Sequence, residues 1–241
     1  MQDDWRQIKE QVRRDQEAFD RHSARLLEAL TRRGVAVYCR RGCRKCCTLT
    51  VNATFVEALG IAQCLTPEQG AAVATHASRL SEIASAAKDF KEYLRTCRTH
   101  LGFCPLLDAD GACGIYPVRP FACRALLSTR DSDWCAVDFS CLHPAEKQAF
   151  MSGLDPSVVA FPTHYVAAAQ DLGREFEERT AAAMIKRFGF SLRGNLSFLI
   201  SLEQQLGVSE LVPQGLEVTR RALIRAGFDL PFVVHMESLG A

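Results

Sequence analysis

No run of 18 or more apolar residues occurs in this chain, which excludes a transmembrane helix. A charge excess is missing too. The chain has 29 Lys and Arg against 28 Asp and Glu, so there is no global electrostatic footprint for nucleic acid or an anionic membrane. Gly34, Gly42 and Gly60 do not compose a Gly-x-Gly-x-x-Gly turn, and neither a phosphate loop nor a Ser-His-Asp set can be assembled. Those gaps remove dinucleotide binding, nucleotide triphosphate chemistry and triad hydrolysis from the reading. Met1 is followed by Gln2, Asp3, Asp4 and a charged helical pattern rather than an apolar export segment. The expected location is therefore the cytoplasm. Internal repeats and low-complexity linkers are also lacking, and no cysteine follows Cys141.

What the chain does have is 11 cysteines in 241 residues. In a reducing compartment thiols stay free, and an odd count leaves at least one unpaired in any disulfide framework. Clustered cysteines then read as metal ligands or catalytic groups. They fall into two runs. The first is Cys39-Arg-Arg-Gly-Cys43-Arg-Lys-Cys46-Cys47, whose Cys43-x-x-Cys46 spacing lets the backbone turn both sulfurs onto one ion. The second spans Leu101 to His143, where Gly and Pro punctuate the chain and Cys104, Cys113, Cys123, Cys135 and Cys141 lie. Such backbone has little hydrogen-bonded order of its own. A thiolate-bound metal joining the runs would supply about 10–16 kcal/mol, comparable with the stability of a whole domain.

The expected ligands are Cys43, Cys46, Cys47, Cys104, Cys113 and Cys123, with Cys135 and Cys141 extending the set or holding a second ion. Arg40, Arg41, Arg44, Lys45, Arg119 and Arg124 stand near these thiols, and cations favour the thiolate. His100 and His143 flank the second run as candidate nitrogen ligands; His22 and His76 read as surface or packing residues. Asp108 and Asp110 read as turn residues, and Cys64 and Cys97 as small apolar core groups.

Helical patterns account for most of the rest. Trp5, Ile8, Val12, Phe19, Leu26, Leu27 and Leu30 form one stripe of a helix that Gly34 ends. Val35 to Tyr38 reads as a short strand. Thr54 with Glu57 makes a capping box for a helix ending near Leu65. Thr66, Pro67 and Gln69 open a long helix reaching about residue 98. Beyond His143 further helices are expected over 163–188, 192–202 and 218–224. The expected fold is mainly α, with helices around an irregular cysteine-rich metal-binding core. Its parts are an amphipathic helix (1–38), a cysteine-cluster domain (39–143) and a helical region packed on it (144–241).

The series Cys43-Arg-Lys-Cys46-Cys47, Cys104-Pro-Leu-Leu and Asp110-Gly-Ala-Cys113-Gly-Ile-Tyr116-Pro-Val-Arg119-Pro-Phe-Ala-Cys123-Arg124 resembles the YkgJ-type cysteine-cluster proteins. That family is described as zinc- or iron-chelating, and the resemblance covers about residues 39–125. Three residues separate Cys39 from Cys43 where the family usually has two, so Cys39 is left out of the expected ligand set. Flagellin lysine N-methylases carry a related cluster, which implies iron–sulfur-dependent methyl transfer as one activity. Cysteine ligation suits iron–sulfur clusters and zinc alike, and the adjacent pair and surplus of thiols lean toward iron. The alternatives are a closed zinc module presenting the C-terminal helices to a protein partner, and a redox sensor using exposed, low-pKa Cys46 and Cys47.

Overall fold

The computed structural model describes residues 2–238, and its helices follow the apolar stripes. Helix α1 (Gln2–Arg32) buries Trp5, Ile8, Val12, Phe19 and Leu30. Its first half packs on the main core. Its last turns, through Leu26, Leu27 and Leu30, cover a second cluster built on Leu127, Phe150, Leu154 and Val166. After the first cysteine run come β1 (Asn52–Thr54), α2 (Phe55–Ala62) and α3 (Pro67–Ala86). Both expected capping boxes are present: Thr54 with Glu57, and Thr66 with Gln69.

The long helix expected to reach residue 98 breaks after Ala86. Asp89 caps a separate helix α4 (Phe90–Thr96), its carboxylate accepting from the Glu92 N–H at 2.8 Å. The stripe misled because α4 buries Tyr93 instead, leaving Phe90 52% and Leu94 39% exposed. Residues Val35 to Tyr38 are not a strand, although Tyr38 N donates to Ser128 O.

The second run carries only short turns and α5 (Phe121–Ala125). Helices α6 (Pro144–Ser152) and α7 (Ala167–Phe188) follow, then β2 (Phe190–Asn195) and α8 (Leu196–Leu206). The chain closes with α9 (Val208–Leu211), α10 (Leu216–Arg225) and β3 (Val234–Ser238). The expected helix over 192–202 therefore begins only at Leu196, because Leu192 lies in a strand. That strand is buried on both faces, so it shows no alternation to distinguish it from helix.

A small antiparallel sheet of order β1-β2-β3 was not expected at all. It has a positional consequence. Ala53 pairs with Gly194, and Leu196 N donates to Val51 O at 2.9 Å. The segment just after the first cysteine run is thereby fixed to the C-terminal half. Gly194 is required here: a Cβ at this position would collide with the Val233 carbonyl of the neighbouring strand. The main core draws on all parts of the chain, from Trp5 through Phe55, Phe121 and Phe198 to Val234. No described helix is long and apolar enough to cross a membrane.

Candidate metal centre

The first cysteine run is a series of tight turns. Cys43 N donates to Arg40 O across Gly42, which has a positive φ of 84°. A 3-10 turn over Lys45–Thr48 follows, with Cys47 N donating to Arg44 O and Leu49 N to Cys46 O. Lys45 is tied to Asp133 at 2.6 Å, and the Arg44 guanidinium lies 5.1 Å from the Phe103 ring centre. The two runs are joined directly: Cys104 N donates to Cys47 O at 2.7 Å.

Cys113 sits in a small hairpin paired through Leu107 and Cys113. The Asp108 carboxylate accepts from Asp110 N and Ala112 N, and Gly111 takes the left-handed conformation the turn needs. Cys123 rides on α5. That helix has no side-chain cap from Pro120; instead Glu57 accepts from Phe121 N at 2.8 Å and Glu177 accepts from Ala122 N. Burial raises the Glu57 carboxyl, and burial together with the neighbouring Glu57 pushes Glu177 up to about 7. Two carboxylates from α2 and α7 thus position this cysteine.

Cys43, Cys46, Cys47, Cys104, Cys113 and Cys123 all line one open cavity of about 120 Å³, and Cys39, left out of the expected set, lines it too. Among the described residues, no three Cys, His, Asp or Glu side chains close on a common centre as they stand. The sulfurs share the cavity without converging. Their chemistry nevertheless fits a bound cation. The Cys46 thiol is pushed up by its hydrogen bond with Cys47 and by burial. Burial pushes Cys104 to about 11 and raises Cys113 and Cys123. The charges of neighbouring sulfurs add to this, Cys123 being sensitive to Cys104, Cys46 and Cys113. Mutual repulsion of this kind is relieved by a metal, which deprotonates the thiols it binds. Arg119 also fits. It lines the cavity, lies 4.1 Å from the Tyr116 ring centre, and its buried Nε has no acceptor among the described residues. An anionic thiolate centre would give that cation a counter-charge.

The basic residues therefore act differently from the sequence expectation. Only Arg119 lowers several of these thiols, and burial outweighs it. Arg124 is buried and turned away, held by Asp20 at 2.6 Å and by the carbonyls of Pro117 and Arg119. The sensor reading needs a low Cys46 pKa, and the raised value counts against it.

Cys135 and Cys141 do not line the cavity. Cys135 is buried beside His164, sulfur to Nε2 3.4 Å, under Trp134 and Phe150. Cys141 is exposed, donating to Asp138. His100 bonds Thr99, and His143 caps α6, so neither reaches the cavity. Cys97 is a core thiol as expected, whereas Cys64 is exposed at the end of α2. Sequence reasoning missed part of the lining. His76, Asn195, Leu196 and Ser197 line the cavity, brought there by α3 and the β2–α8 junction. The signal for Asn195 was a residue with N-cap chemistry, hidden in a stretch read as continuous helix.

Residues 38–142 match the model of a family named CxxCxxCC, described as "Putative zinc- or iron-chelating domain". No curated protein and no solved structure matches the chain. The cysteine runs and the turns that carry them lie within the matched residues, so it is this segment of the chain that is similar to the domains the model describes.

Proposed function

We propose that this domain binds iron, as an iron–sulfur centre or as the ion, through the thiolates of Cys43, Cys46, Cys47, Cys104, Cys113 and Cys123. The observation that carries the reading is that these six cysteines, from two distant runs, line one cavity together with Cys39, the runs joined backbone to backbone at Cys104 and Cys47. Six thiols exceed the four of a closed structural zinc site. The adjacent Cys46 and Cys47 add to the preference for iron. The proposed set leaves out Cys135 and Cys141 because neither lines the cavity, Cys135 lying against His164 and Cys141 on Asp138. When loaded, an iron–sulfur centre would supply electron transfer or support group transfer such as methyl transfer. The chain's own part is to hold the sulfurs on stiff turns and to offset their charge with Arg119. The zinc alternative is a closed module whose C-terminal helices meet a protein partner.

Anaerobic purification followed by metal and sulfide analysis and visible absorption tests the reading. A brown protein with iron, sulfide and broad absorption is the expected result. Stoichiometric zinc in a colourless protein would move the assignment to zinc. Protein free of both metals after reconstitution would sink chelation by these thiols.

A further inference from the structure

The sheet leaves one strand edge open. Its order is β1-β2-β3, so β1 and β3 are its edges. Strand β1 is three residues long, and α5, α7 and α8 pack on it. Strand β3 is longer, and among the described residues only β2 pairs with it. It has no proline, no bulge and no run of one charge, devices that commonly blunt an edge. The register tells which of its groups are free. Asn195 N donates to Val233 O, so these two form a hydrogen-bonded pair. In an antiparallel ladder such pairs alternate with non-bonded ones. Arg193 with His235 and Ser191 with Glu237 are therefore bonded pairs, and the N–H and C=O groups of Val234, Met236 and Ser238 point away from β2. No other described backbone group bonds to them.

The side chains divide by face. Val234 is buried and Met236 packs on the main core, whereas His235 and Glu237 are exposed on the other face. The strand is complementary to itself. With Met236 opposite Met236 of an antiparallel copy, Val234 faces Ser238 and His235 faces Glu237. Every outward N–H and C=O then meets its complement. His235 and Glu237 fall at non-bonded positions, where facing side chains come closest, and the two-fold axis repeats that opposite-charge pair. The neighbouring registers would set His235 against itself or Glu237 against itself, so charge selects the one centred on Met236. Phe90, exposed on α4, rests on Phe232 two residues before the strand, which leaves apolar surface at that end of it. We propose that the open edge of β3 is a self-association surface, where two copies of this chain pair antiparallel about Met236 and join their sheets into one. The inference is independent of the metal reading.

The test uses the full chain as purified. Sedimentation velocity over a concentration series should show a dimer, and residue-resolved hydrogen exchange should locate it. The amides of Val234, Met236 and Ser238 should slow as concentration rises, while those of His235 and Glu237, bonded to β2, stay slow throughout. Met236→Pro removes an outward N–H and leaves the β2 ladder whole, so it should abolish the dimer; Met236→Leu, the packing control, should keep it. Glu237→Lys, an exposed change, should weaken association about tenfold, since the axis repeats the lost pair. Adding His235→Glu to Glu237→Lys restores opposite charges and should restore the dimer. A chain that stays monomeric at every concentration overturns the proposal. So does a dimer that survives Met236→Pro or leaves the three outward amides unprotected, a double variant as weak as Glu237→Lys, or assembly beyond the dimer.

Discussion

The thiols divide by what their sulfurs touch. Cys113 and Cys123 face the shared cavity, whereas Cys141 is exposed and bonded to Asp138. Cys113→Ser and Cys123→Ser are therefore expected to lose most bound metal, and Cys141→Ser to keep all of it, as read by metal-to-protein ratio. Equal loss in all three would undo the assignment. The buried titrating groups make a second prediction, on pH. His76 and His164 are lowered to about 4 by burial, so the folded state resists protons that the unfolded chain takes up below about pH 6.5. Their stabilisation is present above pH 6.5 and is lost as pH falls toward 4. Glu177, raised to about 7 by burial, works in the opposite sense: its contribution is full below about pH 4.5 and is lost as pH rises to 7. Glu57, also raised by burial, works in the same sense as Glu177, so imidazoles and carboxyls are separated by variants, each read as the slope of melting temperature between pH 6.5 and 4. His164→Phe should shift that slope toward greater stability at pH 4 and Glu177→Gln toward less; variant profiles parallel to wild type would refute the linkage.

At the scale of elements, short pieces are held by side chains from distant ones. Glu57 accepts from Thr54 N, Thr54 Oγ1 and Phe121 N, so a single buried carboxyl fixes the starts of both α2 and α5. Glu57→Ala leaves three buried donors unpaired and should cost about 3 kcal/mol or more in denaturant unfolding, while Glu57→Gln should cost less because it keeps an acceptor. Because α5 carries Cys123, the alanine variant should also bind metal more weakly. Gly194→Ala makes a separate prediction. The added methyl meets the Val233 carbonyl, so the strand pair must part and the protein must melt earlier. An unchanged melting temperature would show that β2 and β3 yield freely. The sequence made α1 and both capping boxes legible because each depends on neighbours within four residues. It hid the break at Ala87 and the strand at Phe190, where burial from outside the segment overrode an apolar spacing that fits helix.

For the whole molecule, the main core joins α1, α2, α7 and α8 through Phe19, Phe55, Phe176 and Phe198, with Cys104 and Cys113 only packed against it. Removing metal with a chelator should therefore loosen the cysteine turns while the core holds. Hydrogen exchange is expected to quicken over 39–50 and 101–119 and to stay slow in α7 and α8. Uniform loss of protection would mean that the metal, rather than the phenylalanine core, supports the entire fold.

Composition and local spacing determined that this chain is mainly helical, that its thiols come in two runs, and that those runs suit a metal. These are properties of residue type and of contacts a few positions apart. Which sulfurs share a cavity was decided only in three dimensions, by the Cys104–Cys47 backbone bond and the turns around it, because no local pattern encodes a meeting of distant segments. The placement of Asn195 and Ser197 in the lining of that cavity was decided in the same way, by β1 pairing with β2, since strand pairing depends on a partner the local sequence does not contain.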